Sequence, residues 1–74
     1  MNKQRSYSHK ELAMLYFPDI QPKSASQRFT LWITRDEELL DELLKAGYSK
    51  KQHLYTPLQT DILFNHLGIP EGID

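Results

Sequence analysis

Two segments of this 74-residue chain lie 48 positions apart and begin with the same short pattern, which constrains the fold more than any other feature. Each has an aromatic residue, a hydroxyl residue and then Glu or Gln three positions later: Tyr7-Ser8-His9-Lys10-Glu11 and Tyr55-Thr56-Pro57-Leu58-Gln59. A hydroxyl residue and the third residue after it can form a capping box, which satisfies free backbone N–H groups at a helix start. The repeat therefore predicts two helices, entered by extended lead-ins near Tyr7 and Tyr55 that can pair as a two-stranded β-ribbon.

The first helix is predicted from His9 to about Phe17, with Ser8 as its N-cap. Apolar residues recur there at helical spacing: Leu12, Leu15 and Tyr16. Pro18 ends the helix, because a residue before proline is driven away from helical backbone angles.

A second capping box, Ser24 with Gln27, predicts that the next helix begins at Ser24. Its apolar residues follow at helical spacing: Ala25, Phe29, Trp32 and Ile33. This stripe predicts a face turned to the core, and Trp32 is expected to be part of that core.

Thr34 and Glu37 match a third capping box, so a third helix is predicted from about Asp36 to Ala46. Its apolar face is formed by four leucines: Leu39, Leu40, Leu43 and Leu44. Gly47 suits the left-handed position that ends a helix.

The fourth helix is predicted to begin at Thr56, with Pro57 at its first turn, and to end at Gly68. Its expected buried stripe is Leu58, Ile62, Leu63 and Leu67. Ser49 and Gln52 also have the capping-box spacing, but no apolar run follows them, so no helix is predicted there.

These patterns predict a mainly α fold of four short helices in a helix-turn-helix-like arrangement, with a possible two-stranded ribbon. Residues 7–70 form the single domain, and residues 1–6 and 71–74 are expected to be flexible ends. The chain has no cysteine, no signal-peptide pattern and no apolar run of membrane-spanning length. A cytoplasmic protein without membrane contact is therefore expected.

No residue pattern indicates catalysis, a cofactor or a metal. The three histidines, His9, His53 and His66, are widely spaced and match no ligand pattern. The acidic residues between positions 36 and 42 are interpreted as a helix cap and a solvated face. The chain is therefore predicted not to be an enzyme.

The formal net charge of −1 hides a segregation of charge along the chain. Basic residues dominate positions 1–35 and 49–56, whereas positions 36–48 are acidic. Small polar and basic residues at a helix start can face phosphates and base edges, so duplex DNA is the expected partner. The candidate contact residues are Lys23, Ser26, Gln27, Arg28 and Thr30 on the second helix, and Lys50 and Lys51 in the connector. The alternative is that the second-helix residues are ordinary exposed ones.

Several short motifs resemble a family of small uncharacterised proteins from Bacteroides-type bacteria, and the likeness covers about residues 7–70. The motifs are Lys10-Glu11-Leu12-Ala13, Tyr16-Phe17-Pro18, Trp32-Ile33, Gly47-Tyr48, Thr56-Pro57-Leu58-Gln59 and Leu67-Gly68-Ile69-Pro70. This resemblance implies a cytoplasmic bacterial protein and no particular activity.

Residues Ser8 to Ala13 are also similar to the first helix of excisionase and MerR-type winged helix-turn-helix domains. That likeness implies a recognition helix over Ser24 to Ile33 and a wing over Lys50 to Tyr55. The segment 18–23 is longer than the 3–4-residue turn of such domains. The hypothesis is a DNA-binding accessory or regulatory protein.

The rival hypothesis is a protein-interaction module. Its contact surface would be the acidic helix 36–46, which suits a basic partner, or an exposed apolar patch. The apolar candidates are Met14, Ile20 and Leu31.

Overall fold

A computed structural model describes residues 6–71, and this part of the chain forms four helices and one two-stranded antiparallel sheet. In chain order the elements are β1 (Tyr7–Ser8), α1 (His9–Tyr16), α2 (Pro22–Arg35), α3 (Glu37–Lys45), β2 (Leu54–Tyr55) and α4 (Pro57–Leu67). The predicted mainly α class with a small ribbon is confirmed. The ends expected to be flexible lie outside the described residues, apart from Ser6 and Glu71.

The ribbon joins the two lead-ins as the repeat predicts. Tyr7 lies opposite Tyr55, and Ser8 lies opposite Leu54. The backbone N–H of His9 donates to the carbonyl of His53 at 2.8 Å, which continues the pairing past the strands. The ribbon therefore holds the start of α1 beside the connector that precedes β2.

Both predicted capping boxes of the repeat are formed. At α1, the N–H of Glu11 donates to the hydroxyl of Ser8 at 3.0 Å, and the N–H of Ser8 donates to the Glu11 carboxylate at 3.4 Å. At α4, the same two bonds join Thr56 and Gln59, both at 3.1 Å. Gly68, with φ of 87°, follows the last residue of α4 as predicted.

The predicted start of the second helix at Ser24 is wrong. Helix α2 begins at Pro22, and Gln21 occupies the N-cap without a side-chain hydrogen bond. Proline suits the first turn of a helix because its φ is already fixed and its missing N–H would have no helical partner. The connection from α1 is therefore residues 17–21, shorter than the sequence pattern indicated.

The box at Thr34 and Glu37 is also wrong. Thr34 lies inside α2, where its hydroxyl donates to the Thr30 carbonyl at 2.9 Å. Asp36 is the N-cap of α3, and its carboxylate accepts from the N–H of Leu39 at 3.1 Å. Two helices thus meet at one extended residue, and its carboxylate is stabilised by the positive end of the α3 dipole.

Residues from every helix and both strands fill the core. Its buried apolar members are Tyr7, Leu12, Ala13, Ala25, Phe29, Ile33, Leu39, Leu43, Tyr48, Tyr55, Leu63 and Phe64. Leu58, expected to be buried, is 61% exposed, because α4 turns Gln59, Thr60, Leu63 and Phe64 inward instead. Leu44 is 55% exposed at the edge of the α3 stripe.

Trp32 is not a core residue, contrary to the prediction. It is 37% exposed and covers the end of α1, with its ring edge-on to Tyr16 and Phe17 at centroid distances of 5.3 and 5.7 Å. The stripe of α2 is wider than the surface that α1 offers, so its outer member stays half in solvent.

Candidate nucleic-acid interface

Two shallow grooves meet beside the N-terminal half of α2 and form one surface, here called the basic groove. Its lining residues come from the end of β1, from α1 and α2, and from the connector between α3 and β2: Ser8, His9, Lys10, Pro22, Lys23, Ser26, Gln27, Thr30, Lys50, Lys51, Gln52 and His53. His9, Ser26 and His53 line both grooves, so the two parts are continuous.

Four lysines give the basic groove its charge: Lys10, Lys23, Lys50 and Lys51. They come from three separate segments, and no Asp or Glu among the described residues lines either groove. Clustered charge of one sign in a concave surface concentrates its field and attracts ions of opposite sign. The surface is therefore suited to a polyanion.

His9 forms the floor between the two parts of the groove. Its Nδ1 lies 2.7 Å from the Tyr55 hydroxyl, and its Nε2 lies 3.2 Å from both the Ser26 carbonyl and the Thr30 hydroxyl. A carbonyl only accepts hydrogen bonds, so Nε2–H donates to the Ser26 carbonyl, and Nδ1 shares a hydrogen bond with the Tyr55 hydroxyl. Burial is the main cause that raises the pKa of Tyr55, so its hydroxyl stays protonated at neutral pH. The ring thus ties α1, α2 and β2 together beneath the lysines.

Six of the seven candidate contact residues line the basic groove: Lys23, Ser26, Gln27, Thr30, Lys50 and Lys51. Arg28 lies instead in a neighbouring groove with Asp19 and Leu31, and Gln27 stands between the two grooves and lines both. The hydroxyl of Thr30 is already engaged within the domain, because it donates to the Ser26 carbonyl at 3.0 Å. Gln27 and Lys23 are exposed, whereas Ser26 is half-buried.

Six groove residues were missing from the candidate set: Ser8, His9, Lys10, Pro22, Gln52 and His53. Two of these, His9 and Lys10, lie on α1. Both follow the first lead-in directly, and the ribbon places them beside the connector that carries Lys50 and Lys51. The signal for them was the repeat itself, since pairing of the lead-ins brings these two segments together. Neither residue stands out in the local composition.

The acidic helix α3 forms a different surface, packed against α2 and α4. Its exposed carboxylates include Glu37, Glu38 and Asp41, and none of them lines the basic groove. Asp41 pairs with Lys45 at 3.1 Å, and both side chains are well exposed. The charge segregation seen along the chain therefore becomes a segregation between surfaces.

The predicted apolar patch is not one surface. Leu31 and Ile20 line the groove of Arg28, whereas Met14 lines an apolar groove with Leu67 and Ile69. Met14 and Ile20 are half-buried against the core, and Leu31 is exposed.

Within residues 6–71, no group of three or more His, Cys, Asp or Glu side chains is arranged to hold a metal ion. No helix in this range is long and apolar enough to cross a bilayer. Neither the curated proteins nor the solved structures contain a match to the chain. A family profile does match residues 3–70, nearly the whole sequence. The chain therefore belongs to the DUF4248 family, described as a domain of unknown function.

Proposed function

We propose that this domain binds duplex DNA through the basic groove, as an accessory or regulatory protein without a catalytic step. The observation that supports the proposal most is the convergence of four lysines from three segments around one surface that no acidic side chain of the described residues lines. Neutralised phosphates supply most of the affinity of such interfaces, through release of condensed counterions.

Two exposed polar residues of α2 in the groove, Lys23 and Gln27, stand one helical turn apart on one face. In the proposed complex, the lysines contact phosphates and the Gln27 amide faces base edges. A glutamine amide can bond adenine twice, because its oxygen accepts from N6 and its nitrogen donates to N7. Thr30 supports the groove from inside, where its hydroxyl is already bonded. Arg28 belongs to a different groove and is left out of the proposed contact set.

The same architecture supports the looser likeness to excisionase and MerR-type winged helix-turn-helix domains. The connector with Lys50 and Lys51 precedes β2 and takes the place of a wing beside α2. A DNA-binding role of this kind, with the resemblance to Bacteroides-type proteins, fits a bacterial cytoplasmic protein.

Titration of fluorescently labelled duplex DNA at low salt, followed by anisotropy, tests the proposal. The double variant Lys50→Ala/Lys51→Ala is expected to weaken binding to every sequence. It should also flatten the slope of log K against log salt by about 0.9 for each phosphate that is no longer neutralised. Lys45→Ala is the matched control, because it removes the same kind of charge from the acidic surface.

Binding that survives the double variant unchanged, or that falls equally with Lys45→Ala, would argue against the basic groove as the DNA-binding surface. Failure of the unaltered domain to bind any duplex at low salt would end the proposal. Gln27→Ala is expected to leave the salt slope unchanged while altering sequence preference.

A second candidate function is protein interaction through α3. One observation favours it: Leu44 is 55% exposed on the same helix as the exposed carboxylates Glu38 and Asp41. An apolar contact edged by negative charge suits a basic, partly apolar partner.

Charge reversal tests this second function. Glu38→Lys/Asp41→Lys is expected to release a partner that co-purifies with the domain, while Lys50→Ala/Lys51→Ala retains it. The reverse result would assign the partner to the basic groove.

A further inference from the structure

A buried amide lies directly behind the lysine-bearing connector. Gln59, on α4, is 2% exposed. Its Oε1 accepts from the backbone N–H of Thr56 at 3.1 Å and from Gln52 Nε2 at 2.7 Å. Its Nε2 donates to the Ala46 carbonyl at 3.0 Å. Gln59 thus joins the two ends of the segment 46–56 from inside the domain.

Gln52 continues this network into the connector itself. Its Oε1 accepts from the N–H of Ser49 at 2.8 Å, and its Nε2 donates to the Leu54 carbonyl at 2.6 Å as well as to Gln59. Its own N–H donates to the Ser49 carbonyl at 3.1 Å. One side chain therefore closes the turn that contains Lys50 and Lys51.

We infer that Gln52 and Gln59 form an amide relay whose role is to hold the connector in the shape that presents Lys50 and Lys51 to DNA. Both glutamines are then positioning residues, and the inference rests on the proposed function. The relay fixes a segment that has no helix or strand between residues 46 and 53.

The physical basis is preorganisation. An unsupported loop loses conformational freedom when its side chains bind, and that loss reduces affinity. Buried polar groups with every partner satisfied specify one arrangement of the backbone around them. Gln59 also satisfies the Ala46 carbonyl, which lies just past the end of α3 where carbonyl groups lack helical partners. The connector is therefore ordered before a ligand arrives.

Gln52→Ala tests the relay. It removes no charge, so DNA affinity is expected to fall about three- to tenfold while the salt slope stays that of the unaltered domain. The Ser49 amide proton is expected to exchange with solvent faster, with or without DNA. Gln21→Ala is the control, because Gln21 is an exposed glutamine whose side chain makes no cap hydrogen bond.

Gln52 itself lines the basic groove, so a direct contact with DNA must be distinguished from positioning. Gln59→Met removes the relay from inside, where the side chain cannot reach DNA, and the same reduction in affinity with faster Ser49 exchange is expected. If Gln59→Met does not fold, Gln52→Ala with the exchange measurement decides alone. Reduced affinity without faster Ser49 exchange overturns the relay, and so does unchanged affinity with unchanged exchange.

The outcome also separates the relay from the proposed function. If the unaltered domain binds no duplex, the DNA proposal fails, and exchange at Ser49 still shows whether Gln52 holds the connector. If Lys50→Ala/Lys51→Ala weakens binding but Gln52→Ala changes neither affinity nor exchange, DNA binding stands and the relay is wrong.

Discussion

The first capping box ends in Glu11, whose carboxylate lies at the surface, and the second ends in Gln59, whose amide is 2% exposed. The two hydrogen bonds within each box are the same. The difference lies in what else the last side chain contacts. Gln59 must also donate to Ala46, which a carboxylate cannot do.

The comparison shows that the capping-box pattern alone does not determine whether its last residue is a carboxylate or an amide. At an exposed helix start, a carboxylate completes the box and is stabilised by the positive end of the helix dipole. At a buried helix start, an unpaired charge is costly, and a donor is needed as well as an acceptor. Burial by the rest of the fold decides between Glu and Gln.

Reciprocal exchange of the two side chains should give the largest effect. Gln59→Glu is expected to lower the free energy of unfolding by about 3 kcal/mol, because it buries a charge and faces the Ala46 carbonyl with another acceptor. Glu11→Gln is expected to change it by no more than about 0.5 kcal/mol, as at an ordinary surface position. Urea denaturation at pH 7 measures both.

The same pair gives a control. Acid protonates the introduced carboxyl, which restores a donor and removes the charge. Burial raises the pKa of such a carboxyl in the folded state, so the deficit of Gln59→Glu should shrink as pH falls toward the ordinary glutamate pKa of about 4.3 and be smallest below it. If Gln59→Glu and Glu11→Gln lower the free energy of unfolding equally at pH 7, the proposed difference between a buried and an exposed capping box is wrong.

Removal of the cap hydroxyls should give a smaller effect. Ser8→Ala and Thr56→Ala are each expected to cost about 1 kcal/mol, because each leaves one N–H at a helix start without its partner. Thermal and urea unfolding of the two variants measures the costs. If Thr56→Ala costs several times as much as Ser8→Ala, loss of the Thr56 hydroxyl must also weaken the other hydrogen bonds of Gln59.

The smallest effect should come from an exposed hydrogen bond between helices α3 and α4. His66 Nε2 lies 2.9 Å from the Glu42 carboxylate, and this hydrogen bond raises the pKa of His66, with nearby acidic charges as lesser causes. Because the pKa is raised in the folded state, the bond stabilises fully below the ordinary histidine pKa, and its contribution disappears as pH rises through the folded pKa. Glu42→Gln should remove most of this pH dependence from the free energy of unfolding, because only the lesser causes remain. The hydrogen bonds of the neutral Gln59 side chain should show no such dependence.

An NMR titration of the His66 ring provides the direct check. A His66 pKa that stays the same in Glu42→Gln would contradict the assignment of the shift to Glu42.

Apart from the ribbon between the two lead-ins, the features predicted correctly from sequence depend on neighbouring residues alone. The boxes at Ser8 and Thr56 and the glycine at position 68 need only local backbone geometry. The errors arose where two local signals competed. Pro22 outweighed Ser24 at the start of α2, and Asp36 outweighed Thr34 at the start of α3.

The candidate site was harder to predict, because it depends on which side of each helix faces the groove and not on the spacing of residues along the chain. One residue along a helix is a rotation of about 100°, so Arg28, two residues after Ser26, lies about 200° around α2 and lines a different groove. Ser49 and Gln52 matched the capping-box spacing without a helix, and the structure uses half of that pattern to close a turn. Local sequence cannot reveal that Gln52 also bonds Gln59, which α4 supplies from inside the domain.

The pairing of Tyr7 with Tyr55 has a consequence for synthesis. A contact between residues this far apart closes a long loop, and such contacts form late and slow folding. On the ribosome, α1 and α2 emerge well before β2, so their shared apolar surface stays open until the last quarter of the domain has been translated. A pause in translation before residue 54 would leave three helices, α1, α2 and α3, without the ribbon and α4 that complete the core. Such partly folded species with exposed apolar surface are those on which chaperones act.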